Sequence, residues 1–597
     1  MTSKLPFPAL AAIGGRRIRF WFADLVVLVG VLALLAGLAV LSAGVTVPFG
    51  PGQEPSVSTD PANLPYYAGR SLLRMFAALG TSTIFAIAYG YAAAKSRRAE
   101  RVLIPLLDVL QSVPVLGFLS ITVTGFIALF RGSLLGLECA SVFAIFTSQA
   151  WNMTFAVYHS LTTVPRDLDE AASVYRLSRW QRLRRLELPA ATVGLVWNGM
   201  MSMGGGWFFL VASERISVNN QSYTLPGIGS FVGVAIDEQN LGAIGLAIAA
   251  MIAVVVAVDR LFWRPLVAWS ERFKVEESEA SERVESAVLD LVRRSRLVAF
   301  AIHVTAVGMG RLGHALFERA RRVRPASSPQ ASQWDDGIRE LPPVGRLGAA
   351  LRSDLTFNLI LATALLGGSW ALGSYVATGV TASDLATVLG NGLLTFARVL
   401  AVVAVSAVIW TPIGVWIGMN PRVSQLAQPI VQVAASFPAN FLFPFVTIFM
   451  LRTGFPIELG SVPLMALGAQ WYILFNSIAG AMAIPNDLRE AVAMLKLSRW
   501  QRWRSLILPA IFPAWVTGAI TAAGGAWNAS IVAEIVSWGP DTLRAHGLGA
   551  YIAEATAVGD FPRTFLGIAV MALFVVGLNR VFWRRLYGLA ETRYRLA

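Results

Sequence analysis

Long apolar runs alternate with short polar loops along most of this chain. The first run, Phe22–Ala43, is long enough to cross the roughly 30 Å of hydrocarbon in a bilayer. No small-residue cleavage site follows it, so it reads as a retained span and not as a secretory signal. A polar stretch rich in proline and glycine, Pro48–Pro65, comes next. Apolar runs then recur at about 70–94, 103–130, 135–161, 190–213 and 241–263. The loops Lys95–Arg101 and Arg166–Arg185 are dense in arginine, whereas Gly132–Glu138 and Glu214–Asn240 are not. The positive-inside rule puts the basic loops in the cytoplasm, together with the basic N-terminus (Arg16, Arg17, Arg19). Pro105 and Pro114 predict that the 103–130 span is broken or kinked. A second set of runs at about 356–378, 387–418, 425–451, 457–482, 510–533 and 563–584 restores the same order. The pattern predicts an all-α polytopic membrane protein with twelve spans in two six-helix halves, both termini cytoplasmic.

The two halves are written from one template. Pro165–Pro189 reads PRDLDEAASVYRLSRWQRLRRLELP and Pro485–Pro509 reads PNDLREAVAMLKLSRWQRWRSLILP, with fifteen of twenty-five positions identical at an offset of 320. Such self-similarity marks an internal duplication. Arg74, Gly90, Pro105 and Pro114 match Arg398, Gly414, Pro429 and Pro438 at an offset of 324. Trp207, Glu214, Gly227, Gly229 and Trp263 match Trp527, Glu534, Gly547, Gly549 and Trp583 at 320. We therefore expect a first permease-like half over 1–264, with one extra N-terminal span, a charged cytoplasmic connector over 265–354, and a second half over 355–597. Within the connector, Glu276–Arg296 predicts a charged amphipathic helix and Leu297–Gly310 an interfacial or packed one. Arg324–Asp336 has the composition of a flexible linker, and the whole reads as a tether between halves.

Composition narrows the function classes. Of 597 residues, 55% are hydrophobic and only 14% charged, with mean hydropathy +0.60, which is membrane-protein composition. The net charge of +14 comes from arginines at the ends of apolar runs, where they set topology, so nucleic acid is not an expected partner. The single cysteine, Cys139, lies in an apolar run, and the four histidines show no paired metal spacing. None of the four lysines (Lys4, Lys95, Lys274, Lys496) sits in a glycine-rich phosphate loop, so the chain is not expected to hydrolyse ATP or to be an enzyme.

Glu170-Ala171-Ala172, then Ser178-Arg179-Trp180, then the closing Leu-Pro resemble the EAA loop of bacterial ABC importer permeases, and Glu490-Ala491 with Ser498-Arg499-Trp500 repeats it. The resemblance implies an inner-membrane protein whose two loops dock into grooves on two separate ATPase subunits. ATP and Mg would be bound there, with no cofactor in this chain. It also implies a periplasmic or lipid-anchored solute-binding protein. An acidic residue in a first helical turn complements the helix dipole, so Glu170 and Glu490 are the expected coupling residues. Trp180 and Trp500 suit either docking anchors or membrane-interface anchors. The family's usual glycine is replaced by Arg176 and Lys496. Each must adopt a left-handed conformation at roughly 1 kcal/mol or let the helix run on.

A second constellation follows each loop. Trp207, Glu214 and Leu225-Pro226-Gly227-Ile228-Gly229 correspond to Trp527, Glu534 and Ala545-His546-Gly547-Leu548-Gly549, an order similar to permeases of the nitrate/sulfonate/bicarbonate branch. Small residues allow close helix approach, and an ionisable residue at a span end is a functional candidate. The expected pathway or gate residues are Asn198, Trp207, Glu214, Trp527, Asn528 and Glu534; end packing with solvated glutamates is the plainer reading. The halves differ, with Phe208-Phe209 opposite Asn528-Ala529 and Asn198 opposite Gly518, so an asymmetric solute could be accommodated. The branch resemblance points to a small anion or organic acid. The rival class is a secondary transporter driven by an ion gradient, which requires titratable groups at mid-span. The nearest, Asp108 and Glu138, lie close to predicted span ends.

Overall fold

The computed structural model describes residues 17–45, 47–48, 55–112, 117, 119–218, 220–273, 286–295 and 354–594. Pro114, the expected 297–310 helix and the 324–336 linker lie outside the described residues. After α1 (Arg17–Ala43) the first half runs α2 (Leu64–Lys95), α3 (Arg97–Ser112), α4 (Leu119–Leu129) and α5 (Leu135–Thr162). The short α6 (Arg166–Val174) and α7 (Arg179–Arg182) lead to α8 (Leu188–Glu214), the hairpin β1 (Arg215–Val218) and β2 (Gln221–Thr224), then α9 (Ile228–Asp237), α10 (Leu241–Val258) and α11 (Arg264–Ser270). α12 (Ala287–Arg294) falls within the expected charged helix.

From α13 (Asp354–Ala377) the series repeats, each element twelve labels after its mate: α14 (Ala382–Met419), α15 (Pro421–Ser436), α16 (Phe443–Thr453), α17 (Ile457–Met482), α18 (Asn486–Met494), α19 (Arg499–Arg502) and α20 (Leu508–Ala533). β3 (Ile535–Trp538) and β4 (Asp541–Arg544) form the second hairpin, followed by α21 (Leu548–Val558), α22 (Phe561–Leu578) and α23 (Arg584–Arg593).

Among the described residues seven helices are long and apolar enough to cross a membrane, or eight if α15 and the helix after it count as one bent span. That is fewer than the twelve expected from the repeat. α5 and α8 have 28 and 27 residues, ample to span, but carry Thr147, Ser148, Gln149, Asn152 and a run of glycines where a lipid-facing helix would be aliphatic. Their polar positions are spent on contacts inside the bundle: Gln149 is buried, and Ser141 hydrogen-bonds Ser213 at 2.7 Å. Of the prolines behind the kink expected in the 103–130 span, Pro105 stays inside α3 and Pro114 lies outside the described residues; the corresponding bend is seen in the second repeat. α15 and α16 meet at 83°, and the break falls at Pro438, which starts the turn Ala439–Leu442, while Pro429 stays inside α15.

The chain divides into two compact units. One comprises Met1–Leu35 with Ala287–Gly379, and in it Ser295 Oγ donates to Asp24 at 2.7 Å. The other, Ala36–Ser286 with Val380–Ala597, holds both repeats. In each repeat three long helices pack side by side, α2–α5–α8 and α14–α17–α20. The first is centred on buried Met75, Met153, Met203, Trp207 and Phe231. The repeats meet reciprocally, α10 on α15 and α22 on α3. The hairpins also cross over: Asn220 N–H donates to Ala557 O at 2.8 Å, and Gly539 N–H donates to Ile236 O at 3.0 Å.

At the end of α8 remote from the arginine-rich loop, each repeat is tied by a buried charge. Glu214 is fully buried, and its Oε1 accepts from Arg74 Nη1 (2.7 Å) and Ser71 Oγ (2.6 Å) on α2. Its Oε2 accepts the Gly229 N–H (2.7 Å) at the start of α9, while Ile228 N–H donates to Ser71 Oγ (3.0 Å). The carboxylate thus caps a helix N-terminus and neutralises an arginine at once. A side chain at Gly227 would overlap this carboxyl, which explains the glycine by close approach. The second repeat builds the same tie from Glu534, Arg398 (2.8 Å), Thr395 (2.7 Å) and Gly549 N–H (2.8 Å), with Gly547 in the place of Gly227.

The first tie is larger. Arg74 also donates to both oxygens of buried Glu138 (2.6 and 2.7 Å), and Arg70, one turn earlier on α2, pairs with Oε1 of the same carboxylate. In the second repeat Leu394 replaces Arg70, and Glu458, the mate of Glu138, turns outward to His546 at 3.2 Å. Removing one partner of a buried pair leaves an uncompensated charge, at a cost of about 3–5 kcal/mol. Arg74→Met strands Glu214 and takes one of two arginines from Glu138, where Arg398→Met strands Glu534 alone. The first substitution should therefore lower the apparent melting temperature of the detergent-solubilised chain more than the second, as read by intrinsic fluorescence; equal or reversed effects contradict this account of the ties.

Candidate functional site

The duplicated loop folds as helix–turn–helix in both copies. α6 and α18 start after Pro165 and Pro485, with Asp167 and Asp487 in their first turns. α6 ends where Tyr175 N–H donates to Ala171 O (2.9 Å), Arg176 N–H to Ser173 O (2.9 Å) and Leu177 N–H to Ala172 O (3.1 Å). These are the bonds of a helix stop with a left-handed residue after the cap. Arg176 and Lys496 occupy that position with φ of 50° and 48°. Of the two alternatives for the missing glycine, the chain takes the left-handed turn, and it does so twice. Ser178 and Ser498 then cap the next helices: each Oγ accepts the N–H of the glutamine three residues on (3.3 Å), and that glutamine's side chain accepts the serine N–H (2.9 Å). From there a π-turn, Leu183–Glu187 or Trp503–Ile507, joins α7 to α8 and α19 to α20 without a break.

This geometry sorts the loop residues. Ala172 is buried beneath α6, whereas Glu170, Ala171, Arg176 and Arg179 are exposed, as are Glu490, Ala491, Lys496 and Arg499. Trp180 and Trp500 are 67% and 71% exposed, and Val174, Tyr175, Met494 and Leu495 stand out beside them. Each loop therefore presents an acidic group next to a compact apolar patch. Large apolar groups clustered on a polar loop mark an interaction surface.

The second feature is a cavity of about 320 Å³ between the repeats. α5 and α8 contribute Thr147, Ser148, Trp151, Asn152, Phe208 and Phe209; α17 and α20 contribute Trp471, Tyr472, Thr521, Trp527 and Asn528. Gly204, Gly205, Gly524 and Gly525 line it from both sides, so it lies on the axis relating the repeats. The duplication has not kept its walls alike. On one side the polar groups come from α5 and the apolar ones from α8; on the other, α20 carries Thr521 and Asn528. No charged side chain lines the cavity among the described residues.

The pathway and gate candidates are thereby separated. Trp527 and Asn528 line the cavity; Trp207 is buried in the core of the first repeat, and Asn198 donates to Gly194 O (2.9 Å) along its own helix. Glu214 and Glu534 belong to the buried ties and not to the cavity wall. Their partners Arg74 and Arg398 were visible in the sequence as a repeated pair of arginines, but nothing there joined residues 140 positions apart.

Comparison with known proteins agrees with this architecture. Residues 84–263 and 410–595, together more than half of the chain, match the family described as binding-protein-dependent transport system inner membrane component. A nitrate import permease protein of Leptolyngbya laminosa is 28% identical over 174 residues, 29% of this chain and 59% of that protein. A bicarbonate transport system permease protein of Synechococcus elongatus is 25% identical over 203 residues (34% and 66%). A putative aliphatic sulfonates transport permease protein of Bacillus subtilis is 27% identical over 161 residues (27% and 55%). The chain thus spans a little over half to about two thirds of these relatives. With the family matched once in each repeat, this chain belongs to the binding-protein-dependent transport system inner membrane components, as two permease halves in tandem.

Proposed function

We propose that this chain is the whole transmembrane part of a bacterial ABC importer. The observation that carries the reading is the pairing of one axial cavity with two exposed helix–turn–helix loops of the same design. Importers of this kind need two permease halves around one pathway, and here one chain supplies both. Two ATPase subunits would bind the loops and hold ATP and Mg. A periplasmic or lipid-anchored binding protein would deliver solute to the opposite face, with both termini in the cytoplasm. α8 and α20 each start at a loop and end at a buried tie about 40 Å away. A displacement of the loops is thus transmitted along a continuous helix to the far end of the bundle.

The solute is a small anion or organic acid. The relatives' names support this, and so does the cavity's chemistry. Amide, hydroxyl and indole donors can solvate an anion, while the absence of a fixed cation among the described lining residues keeps it from being held too tightly to leave.

Three outcomes test the reading. In the complex with its ATPase, Glu170→Ala/Glu490→Ala should lower solute-stimulated ATP hydrolysis at least about tenfold while the chain remains folded; unchanged stimulation contradicts coupling through these loops. Asn528→Leu should reduce uptake by reconstituted vesicles without altering basal hydrolysis, and unaltered uptake contradicts a pathway through the cavity. Arg176→Gly relieves a left-handed non-glycine residue and should stabilise the first loop by about 1 kcal/mol, read as slower hydrogen exchange over 171–177.

A further inference from the structure

The two coupling loops share a fold but not an anchor. Lys95, the last residue of α2, places Nζ 2.5 Å from Oε1 of Glu187, at the end of the π-turn. Arg182 Nε donates to the same oxygen at 3.1 Å, and its Nη2 pairs with Asp169 in the first turn of α6, beside Glu170. Lys95 also lies over the ring of Tyr91, 5.9 Å from its centroid. An ion-pair chain, Lys95–Glu187–Arg182–Asp169, therefore runs from the end of a spanning helix to the helix that carries the coupling glutamate.

In the second repeat the same positions hold Met419, Ile507, Arg502 and Arg489, and Val415 stands for Tyr91. Val415 and Ile507 are buried in an apolar cluster against which Met419 and Trp503 pack. Arg489 donates to Ala481 O at 2.8 Å. The Lys95–Glu187 pair of the first loop is thus apolar in the second, as Met419 and Ile507, and the Arg182–Asp169 pair is lost there because both positions are arginine.

Salt weakens one anchor and not the other. The side chains of Lys95, Arg182 and Asp169 are 35%, 32% and 44% exposed, so their pairs are screened as ionic strength rises. An apolar cluster is not weakened by that screening. Glu187 is 3% exposed, and its second oxygen has no protein partner, so it depends on the two cations that reach its first.

We propose that Lys95, Glu187, Arg182 and Asp169 are positioning residues for the first coupling loop, and that they make coupling through the first half, and only that half, sensitive to ionic strength. The coupling part of this inference rests on the function proposed above; the anchoring part does not.

The test uses two readouts. Hydrogen exchange over 166–182 and 486–502 is followed in the intact chain between about 0.05 and 0.5 M salt. Exchange in the first segment should rise about two- to fivefold and the second should stay level. Lys95→Met/Asp169→Arg/Glu187→Ile, which installs the second repeat's own residues, should abolish the rise without unfolding the loop. Met419→Lys/Ile507→Glu tests the converse, and should make the second segment salt-sensitive. Salt effects of equal size in both segments, or a rise that survives the Lys95→Met/Asp169→Arg/Glu187→Ile change, overturn the anchoring. In the assembled complex, solute-stimulated hydrolysis should lose its salt dependence in the same variant. Exchange that behaves as expected while hydrolysis keeps its salt dependence overturns the positioning role. A failure of the coupling reading itself shows separately, as hydrolysis indifferent to Glu170→Ala/Glu490→Ala.

Discussion

A charge inside an apolar bundle must meet its counter-charge or the fold is lost, and in this protein that requirement fixes how three helices meet. Glu214 stops α8, neutralises Arg74 on α2 and caps α9; Glu534 does the same for α20, α14 and α21. Because the carboxylate accepts backbone N–H groups as well as a guanidinium, it sets an angle between helices that apolar packing alone would leave adjustable. The hairpin that follows each glutamate then reaches across to the other repeat. Each buried tie is thus the fixed point from which one half is braced against its partner.

Duplication supplied two copies of each part, and the copies have since diverged. The tie gained Arg70 and kept Glu138 inside only in the first repeat. In the cavity wall Thr147 and Ser148 on α5 have Leu467 and Gly468 as their mates on α17, and Thr521 and Asn528 on α20 have Met201 and Phe208 on α8. The duplicated arginine-rich loop is held by ions in one half and by apolar packing in the other. A pair of separate identical subunits could not carry such differences; a fused chain can, since each half always has the other as its neighbour.

Much of this was legible in the sequence, for reasons that are local. The loop repeat, the proline break and the alternation of arginine-rich loops depend on residues near one another, and the structure keeps the bend near Pro438 and the helix–turn–helix at both loops. The left-handed Arg176 and Lys496 could be posed as one of two outcomes but not chosen, because local strain is set against the backbone hydrogen bonds that close the turn. The buried ties were not legible as pairs. Glu214 at a span end looks like a solvated residue until α2 is folded against it, although Arg74 and Ser71 repeat as Arg398 and Thr395 in step with the glutamates. Polar residues on α5 and α8 likewise lower their apparent membrane character, since hydropathy counts composition without regard to which face is shared with protein.

The central claim is that one chain provides both halves of one pathway. Native mass spectrometry of the detergent-solubilised complex with its ATPase measures this directly. The account predicts one copy of this chain with two ATPase subunits; a complex holding two copies of the chain, or one chain with a single ATPase, would contradict it.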